Sequence, residues 1–180
     1  MDSLGRKIGV VIPAYNPGPW LTQTLQGLPL WVDHVVVIDD CSHDDTSVRA
    51  RRLLTCRGFD HAVIRKDRNE GVGAAIATGY KHCCAEKMDL AAVMAADNQM
   101  DPADLPRLLA ASADPQIGYV KGNRFASSQT RKEMPLARRM GGFVMSLLTS
   151  AAAGRSVSDS QCGYTVLRCE LMEALDLCSL

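Results

Sequence analysis

Val35-Val36-Val37-Ile38 restricts the fold more than any other stretch. Four consecutive β-branched residues suit a strand covered on both faces, the condition of a parallel sheet with helices above and below. The run stops at Asp39-Asp40-Cys41-Ser42, which is polar and turn-forming. Further apolar runs repeat the arrangement: Ile8 to Ile12 before Pro13, His61 to Ile64, and Leu90 to Met94 before Asp97-Asn98-Gln99. Each has a strand's length rather than a helix's. Between them lie helical patterns. Leu21, Leu25 and Leu28 recur at helical spacing in Trp20 to Leu28. Asp44 or Asp45 can cap a helix through Val48 and Leu53, and Gly71 to Lys87 is a helix with a glycine-rich start.

Asp101-Pro102 opens a helix to Ala111, with Asp101 as N-cap and Pro102 at the first helical position. Ile117 to Val120 is a fifth strand. Strands alternating with helices predict an α/β fold with a mostly parallel sheet flanked by helices. Past Val120 the pattern changes. Gly122 to Met134 is a polar loop, Leu136 to Ala152 a helix, and Ser156 to Gly163 a second polar loop. Tyr164 to Leu167 reads as a strand and Glu170 to Leu175 as a short helix. No repeat or low-complexity linker divides the chain, so residues 1–180 are expected to form one domain.

Composition narrows the function classes. Twenty basic and 20 acidic residues give a net charge of zero, so no global signal points to nucleic acid. Seven cysteines form no C-x-x-C pair and read as reduced thiols. No signal peptide opens the chain, and no apolar run reaches the ~18 residues of a membrane span. A cytoplasmic location follows as the expectation. One local excess breaks the neutrality. Lys121, Arg124, Arg131, Lys132, Arg138 and Arg139 face a single acid, Glu133, in the stretch from Lys121 to Arg139. Such an excess attracts an anion, although a solvated loop and helix face would also read this way.

Ligands of open α/β sheets bind beyond the carboxyl ends of the strands. Four such ends carry Tyr15-Asn16, Asp39-Asp40, Arg68-Asn69, and Asp97 with Gln99. Together they suit a ligand with hydrogen-bonding edges and an anionic part. The Asp97 carboxylate offers hard oxygens to a Mg²⁺ or Mn²⁺ ion that carries a phosphate ligand. Arg68 to Gly73 adds backbone N–H groups at a helix N-terminus, which suit phosphate. The same residues also read as a plain helix start, with Asn69 near the N-cap.

Five segments in order resemble the motifs of glycosyltransferase family 2. They are Val11-Ile12-Pro13-Ala14-Tyr15-Asn16, Val37-Ile38-Asp39-Asp40-Cys41-Ser42, Arg68-Asn69-Glu70-Gly71-Val72-Gly73, Ala96-Asp97-Asn98-Gln99-Met100-Asp101-Pro102 and Asp159-Ser160-Gln161-Cys162-Gly163-Tyr164. The branch they resemble is that of the polyprenyl-phosphate glycosyltransferases, such as dolichol-phosphate mannose synthase. The resemblance implies a GT-A fold and inverting transfer of a sugar from a UDP- or GDP-sugar donor, in cell-envelope glycan synthesis. It implies donor contacts at Pro13, Ala14, Tyr15, Asp39, Asp40, Asn69, Gly71, Asp97 and Gln99, with Asp40 on the base edge. It implies Mg²⁺ or Mn²⁺ at Asp97 with Gln99, and catalytic roles for Asp97, Asp159 and Gln161. Arg124 and Arg138 or Arg139 match positions that hold an acceptor's lipid phosphate, which implies peripheral contact with the cytoplasmic face of a membrane. The oligomeric state stays open.

Three departures stand out. Ala95 replaces the first aspartate of the family's D-x-D, Cys41 the glycine of D-D-G-S, and Pro17 an acidic residue. Family members usually continue well past position 180, so the resemblance implies a C-terminally short chain. A nucleotide-sugar-binding module with impaired catalysis is the alternative. Gly71-Val72-Gly73-Ala74-Ala75-Ile76 nearly matches a dinucleotide fingerprint, but Ile76 replaces its third glycine and it follows the third strand rather than the first.

Overall fold

The computed structural model describes residues 2, 4–123, 136–154 and 156–174. It divides into two compact units, residues 1–120 with 164–180, and residues 121–163. The larger unit is built on strands β1 (Ile8–Ala14), β2 (His34–Asp39), β3 (His61–Arg65), β4 (Leu90–Val93), β5 (Tyr119–Lys121) and β6 (Thr165–Arg168). Their order across the sheet is β3-β2-β1-β4-β6-β5. The pairs β1–β2, β1–β4 and β2–β3 are parallel, and β6 runs antiparallel to β4.

Helices α1 (Trp20–Gly27), α2 (Thr46–Cys56), α3 (Val72–Ala85) and α4 (Leu105–Ala111) join the strands. A 3₁₀ turn, Pro102–Asp104, leads into α4, and a short helix α6 (Leu171–Ala174) follows β6. All six residues of β2 are buried, as a strand covered on both faces requires. Edge strand β3 is only partly buried. Val36 and Ile38 face α3 through Ala75, Tyr80 and Cys83. Side chains alternate along a strand, so the equally buried Val35 and Val37 fill the opposite face. Each such side chain contributes roughly 1.5–3 kcal/mol when fully buried.

Close approach of α3 to the sheet depends on two glycines. A Cβ at Gly79 would overlap Val11 Cγ1, and one at Gly9 would stand 2.7 Å from Cys83 Sγ. The smaller unit contains α5 (Leu136–Ala153) and the segment 156–163 that follows it. Among the described residues, no helix is long and apolar enough to cross a membrane.

Candidate functional site

Parallel pairing places the carboxyl ends of β1 to β4 on one edge of the larger unit, and a turn leaves each. Tyr15 and Asn16 follow β1. Tyr15 is exposed, with its ring edge-on to His43 at 6.2 Å between centroids. Asn16 takes a left-handed backbone (φ 46°); its N–H donates to Ser42 Oγ at 3.0 Å, and its Oδ1 accepts from the His43 N–H at 2.8 Å. Pro13 and Ala14 are the last residues of β1, and the Ala14 carbonyl accepts the Asp40 N–H at 2.9 Å.

The turn after β2 is closed by its own carboxylates. Asp39 is fully buried. Its Oδ1 accepts from the Ser42 N–H at 2.8 Å, and its Oδ2 accepts from the Ser47 hydroxyl and lies 3.5 Å from Arg65 Nη1. Asp40 is also buried, and it reaches across to the third turn. Its Oδ1 accepts from the Glu70 N–H at 3.0 Å and its Oδ2 from the Gly71 N–H at 2.8 Å. Two of the backbone donors expected to suit phosphate are therefore engaged by an internal anion at the start of α3. Gly71 has φ 87°, a conformation that favours glycine, and its N–H also lies 3.1 Å from Asn69 Oδ1. Cys41, at φ 65°, stands in the left-handed region where the related motif has glycine.

The turn after β4 is different. Asp97, Asn98 and Gln99 are all exposed. Asp97 Oδ1 accepts from the Gln99 N–H at 3.1 Å, an Asx turn. Asp101 caps the 3₁₀ turn through the Ala103 N–H at 2.9 Å, as its helix-start reading requires. Among the described residues, no three His, Cys, Asp or Glu side chains gather into a metal-ligand set. One exposed carboxylate, with alanine at position 95, suits an ion held mainly by phosphate oxygens and water. That is how Mg²⁺ commonly binds beside nucleotides. The residues present fit a divalent ion that arrives with its ligand, not a preformed protein cage.

In the smaller unit, Ser146 and Ser150 sit one turn apart on α5 and receive the following loop. Ser146 Oγ accepts from the Ser160 N–H at 3.2 Å, and Ser150 Oγ accepts from the Val157 N–H at 2.8 Å. The loop so held carries Asp159, which is buried and whose Oδ1 accepts from the Gln161 N–H at 3.0 Å; Gln161 itself is exposed. Sequence reasoning missed both serines, although a polar i, i+4 pair in the mostly apolar second half of the helix was a usable signal. Arg124 lies outside the described residues. Arg138 and Arg139 belong to α5, but their side chains lie outside the described part.

Residues 9–175 match the family model for glycosyl transferase family 2. The chain belongs to glycosyltransferase family 2. It is 28% identical over 168 residues to a UDP-N-acetylglucosamine–dolichyl-phosphate N-acetylglucosaminyltransferase of Methanococcus voltae, covering 87% of this chain and 67% of that protein. It is 30% identical to a dolichol-phosphate mannosyltransferase of Pyrococcus furiosus, covering 95% of this chain and 49% of the relative. The similarity falls in the polyprenyl-phosphate branch of the family, and the chain spans about half to two thirds of the length of these relatives. Among solved structures it resembles glucosyl-3-phosphoglycerate synthase of Mycobacterium tuberculosis, crystallised with Mn²⁺, UDP-glucose and phosphoglyceric acid. The TM-score is 0.65 at 22% identity, covering 94% of this chain and 59% of that one. The family 2 fold of this chain is thus GT-A, an α/β architecture with a six-stranded, mostly parallel sheet.

Proposed function

We propose that this chain transfers a sugar, with inversion, from a nucleotide-sugar donor to a polyprenyl phosphate. The observation that carries the reading is the carboxyl edge of the sheet. Four turns gather there; the turn after β2 buries its two motif carboxylates, Asp39 and Asp40, whereas the turn after β4 presents the Asp97 carboxylate to solvent. The names of the relatives support the acceptor class, and the Mn²⁺ and UDP-glucose of the structural neighbour support the donor class. We assign both compact units to one transferase domain, because the family match includes residues of each.

In this reading Pro13, Ala14 and Tyr15 border the base. Asp39 and Asp40 fix the turn beside it; an ionised carboxylate has about four lone-pair sites, so Asp40 retains capacity for a base N–H. Asn69 and Gly71 border the donor from the third turn. Asp97 and Gln99 face the diphosphate and would hold Mg²⁺ or Mn²⁺ there. When bound, that ion supplies Lewis acidity toward the departing diphosphate. Arg124, Arg138 and Arg139 grip the acceptor phosphate by charge-assisted hydrogen bonds. That choice of acceptor settles the proton question. A phosphate monoester has a second pKa of about 6, so its oxygen is already ionised near pH 7. It attacks the anomeric carbon, the new C–O bond forms, and the bonding pair of the old one leaves with the nucleoside diphosphate. Asp159 and Gln161 orient the acceptor, and Asp159 has no proton to remove.

The exposed Met145, Leu147 and Leu148 of α5 support contact with a membrane surface, which this reading assigns to the cytoplasmic face. The binding-only alternative is not favoured, since the relatives are named for transfer. The test is transfer from labelled UDP- and GDP-sugars to a polyprenyl phosphate. Arg124→Ala and Arg138→Ala should raise acceptor KM about tenfold or more, as losses of ~1.5–3 kcal/mol per charged contact imply. Asp159→Asn should slow transfer less than loss of an obligatory base would. A severe Asp159→Asn defect with near-normal arginine variants would assign a hydroxyl acceptor instead.

A further inference from the structure

The turn that carries Asp97 is anchored to helix α1 rather than to a neighbouring strand end. Asn98 lies in the left-handed region, φ 59°, where asparagine is tolerated better than most residues. Its backbone N–H donates to Thr24 Oγ1 at 3.1 Å, and its side-chain amide donates to Gln23 Oε1 at 2.9 Å. One turn further along the same helix, a Cβ at Gly27 would stand 2.9 Å from Pro102 Cγ, so glycine lets the far end of the turn close onto α1. Thr24 is 1% exposed, a polar side chain on a helix face otherwise buried through Leu21 and Leu25. A threonine so placed has its rotamer fixed by packing, which makes its hydroxyl a rigid acceptor.

We infer that Thr24 is a positioning residue, which holds the Asp97–Gln99 turn in register for the diphosphate side of a nucleotide donor. Gln23 supports it from the solvent side. This inference rests on the reading of Asp97 given above. The structural chain is short. Thr24 fixes the Asn98 N–H, Asn98 fixes the backbone on both sides of the left-handed residue, and that backbone aims the Asp97 carboxylate. Loss of the acceptor leaves the exposed Asn98–Gln23 hydrogen bond as the tie of the middle of the turn to α1.

Thr24→Val keeps the shape and removes the acceptor, and Thr24→Ser restores it. Two readouts separate the inference from the reading beneath it. Amide hydrogen exchange of the ligand-free protein should accelerate at least tenfold at Asn98 in Thr24→Val and stay near wild type in Thr24→Ser. Binding of a nucleoside diphosphate in Mn²⁺ should weaken about tenfold in Thr24→Val, with recovery in Thr24→Ser, while affinity for the nucleoside alone stays unchanged. Unchanged exchange in Thr24→Val overturns the clamp. Faster exchange with unaltered diphosphate affinity, or an equal loss for the nucleoside, overturns the positioning role. A wild-type chain that binds no nucleoside diphosphate in Mn²⁺ removes the donor reading and the positioning role with it, and the exchange result then shows whether the clamp itself stands.

Discussion

The turns after β2 and β4 begin alike and end in opposite conditions. Each follows a buried strand in the same sheet, contains aspartate, and includes a residue in the left-handed region, Cys41 in one and Asn98 in the other. In the first turn both carboxylates are buried and accept internal N–H donors. In the second the carboxylate is exposed, and the backbone beneath it is tied to α1. An ionised carboxylate is expensive to bury unless hydrogen bonds compensate it. Asp40 is thus committed to joining two loops, and its loss should cost stability. Asp97 bears little of the fold and remains open to a ligand. The same residue type is chiefly scaffold in one turn, where Asp40 keeps only spare lone pairs for a base N–H, and an open candidate ligand contact in the other.

The largest expected effect tests the scaffold half of that contrast. Asp40→Ala removes two hydrogen bonds to a charged acceptor, each contributing ~1.5–3 kcal/mol. Denaturant unfolding should show a loss of about 3 kcal/mol or more, a large part of the ~5–15 kcal/mol typical of a whole domain. Asp97→Ala should stay within about 0.5 kcal/mol of wild type in the same experiment. Equal losses from the two substitutions would erase the distinction.

Next in size is a test of whether the two edges of the sheet behave independently. At the amino edge, His34 Nδ1 lies 2.9 Å from Asp60 Oδ2, and His34 Nε2 lies 3.1 Å from His82 Nε2. Only one proton fits between the two Nε2 atoms. Burial, and then the neighbouring His34, hold His82 below the ordinary value of 6.5, opposed by the more weakly acting Glu86 and Asp60. The folded chain therefore binds fewer protons than the unfolded chain on the acid side of 6.5. The stability linked to His82 is present above that pH and is lost as the pH falls through the lower folded value. Melting temperatures between about pH 7.5 and 5.5 should decline, and His82→Gln should flatten the decline, while Asp97→Ala leaves it unchanged. A slope insensitive to His82 would refute the assignment.

The smallest effect concerns the shared backbone conformation. The left-handed region costs an L-residue roughly 1–2 kcal/mol, and glycine avoids that cost but loses more chain entropy on folding. Cys41→Gly should therefore stabilise the protein by less than about 1 kcal/mol. A clear destabilisation would mean that the Cys41 thiol contact with the Asp67 carbonyl, at 3.5 Å, matters more than the strain.

Much of the fold could be read from the chain because its signals are local. Val35 to Ile38 announced a strand covered on both faces, and Pro13 and Asp101-Pro102 marked element boundaries. The apolar runs and the polar residues that end them also put Tyr15, Asp40, Asn69 and Asp97 at the carboxyl ends of strands. What stayed hidden depends on residues distant in sequence. Asp40 engages Glu70 and Gly71 some 30 positions away, and Thr24 engages Asn98 at 74. Neither pairing leaves a pattern in either segment alone. The antiparallel return of β6 beside β4 was likewise not legible, since a four-residue apolar strand carries no sign of its direction.

The central claim is that Asp97 forms the metal-dependent, diphosphate-facing side of a donor site. Titration calorimetry with UDP and GDP, in Mn²⁺ and in EDTA, tests it most directly when wild type is set beside Asp97→Asn. The account predicts binding of at least one nucleotide that is tighter in Mn²⁺, a loss of about tenfold or more for Asp97→Asn in Mn²⁺, and nearly equal affinities for the two proteins in EDTA. Equal affinity of wild type and Asp97→Asn in Mn²⁺ would contradict it.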